Sequence, residues 1–459
     1  MKRAWFLLAV AGLLQAQEGS GTSSFFYGSR PSGAATAQEI PLSLATAIDR
    51  GLKTNLGLIV AEQRTRAARG ARDIARSDLL PDISANMSQA SEQINLAAFG
   101  FSSFPGIAPI VGPFSLFDIR GQVSQTLFDR QALDRTKARA SDIRASELQT
   151  RDAREAVTLV VTALYLQAVS GASRVEAARA QVTTATALYN QASEFKKAGT
   201  VPAIDVLRAQ VEMQSRQQKL ITFENDNAKQ KLRLARAIGL PDGQLFRLTN
   251  EIPYEPVQAV SLEPAMQRAF AERKDYQSLA ARVESARLSV RAAGAGRLPT
   301  LEFNGDYGAI GRSPVSAHGT YTARVNLHVP IFQGGRVKGE MEEADAEARQ
   351  LEAQLDDLRG RIAFEVRSAL LDLKAASERV EVSRSAAGLA RQQETQARDR
   401  FAAGVTNNLE VVQAQSAVAA SNEDYISSLY GYIVARASLA RATGEIEKII
   451  PSLLTGAIK

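Results

Sequence analysis

The sequence predicts a mainly α protein with a small β part, built from a duplicated unit of helix, β-hairpin, long helix, turn and helix. Three observations predict it. Proline closes a helical stretch twice, at Leu80-Pro81 and at Leu298-Pro299, and the same offset that relates Pro81 to Pro299 relates Ser43 to Ser261. Each proline is followed by two segments that alternate apolar and polar residues, the pattern of strands with one wet face. Each second strand then enters a very long proline-free stretch whose apolar and small residues recur in steps of four and three, a coiled-coil seam.

Composition narrows the classes. Of 459 residues, 45% are hydrophobic and 23% charged, which excludes a disordered chain, while only 6% are aromatic, which suits close-packed helices. A net charge of +6, partly in Lys2 and Arg3, is too weak and dispersed to predict a nucleic-acid partner. There is no cysteine, so disulfides, thiolate metal sites, a cysteine nucleophile and a lipid anchor on cysteine are excluded. Only two histidines occur, His318 and His328, without a metal-ligand spacing. No cofactor, no metal and no enzymatic chemistry are expected.

Taken in order, residues 1–16 read as a secretory signal: Lys2 and Arg3 precede an apolar stretch, residues 5–14, too short to cross a bilayer as a helix. No other apolar run of spanning length is expected. Residues 17–41 form a linker of small and polar residues. The first structural repeat spans residues 42–245. Ser43 caps a helix that runs to Leu80. Alternating segments at residues 82–88 and 117–127 mark the two strands of a hairpin, expected to run about ten residues each, around a loop at residues 94–115. A long helix occupies residues 130–197, with its seam at Val157, Val161, Leu164, Ala168, Gly171, Val175, Ala178, Val182 and Ala185. Gly199 closes it, Pro202 takes a first-turn place, and a return helix runs over residues 203–238.

After a linker at residues 246–259, the second repeat covers residues 260–450. Ser261 opens its first helix, which ends at Leu298. Strands at residues 300–307 and 321–331 surround a short loop. The next helix carries the seam Leu351, Leu355, Leu358, Ile362, Val366, Ala369, Leu373, Ala376 and Val380. Gly404 ends it, Asn407 or Asn408 caps a return helix to Thr443, and residues 451–459 form a tail.

Two hairpins give four strands, which cannot close a barrel alone, and an open sheet cannot sit in lipid. Strands of about ten residues have the span of a tilted membrane strand. Three copies supply twelve strands and a matching ring of long helices, a tube. The alternation places Asp118, Arg120, Glu302, Asp306, Arg324 and His328 in the lumen, and Ile83, Leu301, Val325 and Val329 toward lipid. Glu302 and Asp306 also resemble a pair of catalytic carboxylates, a reading the lumen wall displaces. The competing reading is a secreted or periplasmic coiled-coil scaffold or adhesin without pore activity, which needs no apolar belt.

The turn Pro330-Ile331-Phe332-Gln333-Gly334-Gly335-Arg336, its weaker copy Leu127-Phe128-Asp129-Arg130, the paired Leu-Pro stops and the turns at Gly199 and Gly404 together resemble the TolC-like outer membrane efflux protein family, over about residues 40–450. The resemblance implies a homotrimer with a twelve-stranded barrel in outer membrane lipid and an α-helical barrel across the periplasm. It implies an exit duct of a tripartite efflux pump or type I secretion system, with two partners: a periplasmic adaptor, and an inner-membrane pump or secretion ATPase. It also implies an acidic constriction at the periplasmic tip. Counting from Gly404 gives Glu410 and then the uncharged Gln413, with Asp205 the counterpart of Glu410 in the first repeat. Glu410 equally suits a carboxylate complementing a helix N-terminus. Gly199, Thr200, Gly404, Val405 and Thr406 become the adaptor-facing turns. Gly334-Gly335 has no match in the first repeat, so the two joints are expected to differ.

Overall fold

The computed structural model describes residues 26–100, 108–249, 254, 260–403, 405–406 and 408–449. The expected signal and tail lie outside these, as do Gly404 and Asn407. The first half comprises β1 (Ile40–Leu42), α1 (Leu44–Thr54), α2 (Leu56–Ser77), β2 (Asp82–Asn95), β3 (Ile110–Phe128), α3 (Arg130–Lys197) and α4 (Ala203–Ala237). The second comprises β4 (Phe246–Leu248), α5 (Leu262–Glu272), α6 (Lys274–Ala295), β5 (Thr300–Gly311), β6 (His318–His328), α7 (Arg336–Ala402) and α8 (Asn408–Ala442).

The opening helix is not continuous in either half. Asn55 takes an extended backbone (ψ 131°) between α1 and α2, and Arg273 does the same (ψ 123°) between α5 and α6, at the offset that relates Pro81 to Pro299. Asn55 is fully buried, and its side chain accepts from the Gly57 N–H at 2.9 Å while donating to the Phe26 carbonyl at 2.7 Å. That side chain caps α2 and turns the chain. Helical spacing of apolar residues passes straight through both breaks, which hides them from a periodicity reading. Ser43 caps α1 as expected, accepting from the Thr46 N–H at 3.2 Å, whereas Ser261 makes no side-chain cap bond. Pro202 sits at the N-cap of α4, one place before the expected first turn.

Spatially the chain divides into two compact units, and each takes residues from both halves. One unit contains residues 1–63, 148–276 and 357–459. Its largest core gathers Leu42, Leu44, Leu58, Val157, Val161, Tyr165, Leu234 and Ile238 from α1, α2, α3 and α4 and their flanks. A second cluster there joins Leu166 to Val380, Tyr432 and Ile433. The seam residues Val157, Val161, Ile362, Val366 and Val380 are all fully buried, so the four-three spacing marks helix contacts as expected. α3 holds one stretch long and apolar enough to cross a membrane, against expectation, but most of it is buried within the protein. The described residues next to the expected linker boundaries form a short sheet that their composition did not predict: β1 and β4 pair in parallel, Ile40 beside Phe246 and Leu42 beside Leu248, because Leu42 and Phe246 both enter the core.

The other unit contains residues 64–147 and 277–356 and carries the main sheet. Its order is β2-β3-β5-β6, antiparallel throughout, so β3 and β5 join the two hairpins while β2 and β6 are free edges. The first hairpin is longer than expected: β2 has 14 residues and β3 has 19, against 12 and 11 for β5 and β6. Residues 110–116, expected as loop, are strand. Gly112-Pro113 broke the alternation in the sequence, and the ladder absorbs them with a register shift opposite Glu92 and Ile94. The two joints differ, as expected. Asp129 alone links β3 to α3 and accepts from the Ala132 N–H at 3.0 Å. A longer turn links β6 to α7, with Gly334 and Gly335 at φ +59° and +85°.

Candidate functional site

The wall of the sheet is organised by register. Directly paired residues in antiparallel strands share a face. Successive rows across the sheet read Ser88, Asp118, Ile310, His318; then Asn86, Arg120, Gly308, Thr320; then Ser84, Gln122, Asp306, Thr322; then Asp82, Ser124, Asn304, Arg324. Glu302 follows beside Thr126 and Asn326, and His328 beside Thr300. All six lumen candidates therefore share one polar face. The opposite face carries Ile83, Met87, Ile119, Val123, Phe303, Tyr307, Tyr321, Val325 and Leu327. Leu301 belongs to it, and Val329 follows the end of β6.

Within the polar face, Arg120 is the most tightly held charge. Its guanidinium donates to Asp118 at 2.9 and 3.0 Å and to Asp306 at 2.7 Å. The residue opposite is Gly308, where a Cβ would lie 2.2 Å from the Ile119 carbonyl oxygen and 2.4 Å from the Arg120 Cβ. Glycine is what lets the arginine cross to the second hairpin. Ser124 donates to Glu302 at 3.1 Å. Arg324 and His328 are exposed.

The tip is built from two helical hairpins. Gly199 has φ +76°, a left-handed backbone that favours glycine, and the Thr200 N–H returns to the Phe195 carbonyl at 2.9 Å. The Val405 N–H returns to the Arg400 carbonyl at 3.0 Å in the same way. Phe195 and Phe401, at 6.1 Å between ring centroids, join the hairpins in a cluster with Leu188, Val411 and Ala414. Val405 is exposed and Thr406 half-buried.

Glu410 lies in the first turn of α8 with two partners: Arg400 donates to it at 2.9 Å, and the Thr406 hydroxyl donates to its other oxygen. Gln413, one turn on, is exposed. Asp205 is buried in its own chain and accepts from Arg208 at 3.2 Å. The sequence reading missed Arg400, whose contact with Glu410 spans a turn, and the aromatic pair, although each phenylalanine stands about one helical turn before its glycine.

It also missed a buried ionic cluster. Arg441 at the end of α8 binds Glu155 at 2.8 Å and Asp152, both on α3. Arg273, at the break before α6, binds Asp275 at 2.7 Å and also Glu365 on α7. Burial pushes the Glu155 carboxyl up to about 7; the charge of Arg441 opposes this, while the neighbouring carboxylates of Asp152 and Glu447 add to it. Burial also works on Asp275, but hydrogen bonds and charge from Arg273 outweigh it and hold that carboxyl below its usual range. Among the described residues no cluster of acidic, histidine or cysteine side chains could hold a metal ion.

The sequence pattern of one family, described as outer membrane efflux protein, matches residues 47–240 and 265–445. The alkaline protease secretion protein AprF of Pseudomonas aeruginosa is 24% identical over 335 residues, 71% of this chain and 69% of its own. The outer membrane protein TolC of Escherichia coli is 23% identical over 396 residues, 82% of this chain and 76% of its own. The CmeC outer membrane channel of Campylobacter jejuni shares the fold with a TM-score of 0.76 at 17% identity, covering 90% of each chain. With both halves matched and the same architecture present, the chain belongs to the outer membrane efflux protein family, channels of the outer membrane that extend into the periplasm.

Proposed function

We propose that three copies of this chain close one twelve-stranded barrel and one helical tunnel, forming the exit duct of a tripartite efflux or type I secretion system. One observation carries the reading: a four-stranded sheet, polar on one face and apolar on the other, with both edge strands unpaired. Such a sheet is stable in lipid only when its edges are closed. The helices support the same assembly. α4 exposes Ile204, Leu207, Val211, Ile221 and Leu232, and α7 exposes Phe364, Leu371, Val382 and Leu389. Each set follows heptad spacing, the pattern of a helix seam awaiting a partner helix. A coiled-coil scaffold would also use such stripes, but it leaves the apolar sheet face unexplained.

Energy for transport comes from partners: an adaptor meeting the turns at Gly199, Thr200, Gly404, Val405 and Thr406, and an inner-membrane pump or secretion ATPase. The likeness to a secretion protein supports protein export as one cargo class. Glu410 and Gln413 form the constriction, one charged position and one neutral per copy, and Asp205 acts within its own helical hairpin. The test is purification from outer membranes in detergent. A heat-modifiable oligomer that conducts in planar bilayers is expected; a stable monomer without conductance overturns the reading.

A further inference from the structure

The seam between β3 and β5 inside one chain is a template for the seam between two chains, and we infer from it the register of the second. The inference rests on the trimeric reading above. The two hairpins are images of each other residue by residue. β2 maps onto β5 by the offset that relates Pro81 to Pro299, and β3 maps onto β6 by the offset that relates Phe128 to Phe332 at the two joints. Asp82 facing Ser124 thus has the image Thr300 facing His328, and both pairs are present. The correspondence holds along the ladder to Glu92 facing Phe114, whose image is Ile310 facing His318.

In a ring, the second hairpin of one copy meets the first hairpin of the next, as the first meets the second within a chain. The image of β3 is β6, and the image of β5 is β2 of the partner subunit. Asp118 facing Ile310 becomes Thr322 facing Glu92 of the partner subunit. Arg120 facing Gly308 becomes Arg324 facing Ala90 of the partner subunit, and Gln122 facing Asp306 becomes Asn326 facing Ser88 of the partner subunit. The mapping keeps the faces consistent: every one of these residues lies on the polar face of its own chain. On the other face, Val325 meets Gln89 of the partner subunit.

The register explains two bare charges. Arg120 is held by Asp118 and Asp306, but its image Arg324 is exposed, and its side chain makes no ion pair or hydrogen bond with a described residue of its own chain. Glu92 on the other free edge is equally exposed and bare. In the inferred seam Glu92 of the partner subunit stands one diagonal from Arg324, within reach of long side chains. The small Ala90 of the partner subunit stands opposite, where Gly308 makes room for Arg120. Each boundary between copies is thus closed by an ion pair between Arg324 and Glu92 of the partner subunit, facing the lumen.

The chain has no cysteine, so paired substitutions report proximity without background. Asn326→Cys with Ser88→Cys tests the polar face, and Val325→Cys with Gln89→Cys the other. One of the two faces holds the closely spaced pairs of an antiparallel ladder. Asn326→Cys with Ser84→Cys is displaced by about four residues, about 13 Å, and serves as control. After oxidation of outer membranes, at least one in-register pair should give covalent dimers and trimers on a non-reducing denaturing gel, reversed by reductant, and the control none. Cross-linking through the control instead, or through no pair in a protein that still forms heat-modifiable oligomers, overturns the register. A wild-type chain that stays monomeric overturns the trimer itself, a separable result. Charge reversal tests the ion pair: Arg324→Glu and Glu92→Arg each lower the temperature at which the oligomer dissociates, and the double variant regains the loss. No regain overturns the pair.

Discussion

Glu410 is already partnered within its own chain, and this decides how its charge acts. Arg400 offsets the carboxylate at 2.9 Å, so in the proposed constriction the two arms of the contact should have opposite effects on ion preference. Glu410→Gln should shift the reversal potential under a salt gradient toward anions, and Arg400→Gln toward cations, measured on single channels. Equal shifts in one direction would separate Glu410 from the constriction. Counting from a turn glycine found Glu410 in the sequence. Its partners stayed hidden, because a contact made across a turn leaves no periodic trace. Glu155 makes a pH prediction. Its carboxyl ordinarily titrates near 4.5 and in the folded chain near 7, so the folded state binds the extra proton between these values. Stability from this group is therefore full below 4.5 and is lost as pH rises toward and through 7. Relative to Glu155→Gln, the wild-type chain should lose up to about 3 kcal/mol between about pH 4.5 and 8, read by thermal unfolding across that range.

At the scale of elements, the breaks at Asn55 and Arg273 show how a duplicated fold keeps a bend while changing its chemistry. The first bend is held by a neutral amide, the second by a buried guanidinium on two carboxylates. Arg273→Ala removes the cation that Asp275 binds most closely, while Glu365 is more exposed and keeps Arg361 at 3.8 Å, so the cost should fall near the low end of that for breaking a buried pair, about 3 kcal/mol. Removing Lys53, whose ion pair with Asp49 is exposed, should cost under about 0.5 kcal/mol. Urea unfolding of both variants checks the contrast. The long helices, the turns and the alternating strands were legible because each has a strong local signature. The breaks were not, because apolar spacing ran through them. β1, β4 and the extra length of β3 were not, because short strands and a Gly-Pro step look like linker until a partner strand is present.

Across the whole molecule, duplication was legible because prolines and turn glycines recur in the same order in both halves, each at its own offset, and the family resemblance followed from these stops together with the motifs at the strand-to-helix joints. The spatial division was not legible, since each compact unit draws on both halves of the sequence. The sheet's two open edges are the property that makes one chain insufficient. The unequal hairpins carry a further consequence. β3 continues from Phe117 to Ile110 beyond its last partner on β5, an overhang of about 20 Å. In a ring of three, tall and low hairpins alternate around the mouth, giving a crown with three points. An epitope placed at Leu96–Phe99 should be bound by antibody on intact cells, while one at Pro314–Ser316 should be bound less readily, compared by whole-cell flow cytometry. In the proposed trimer, whatever approaches the cell from outside, immune or viral, would meet those three points before the opening between them.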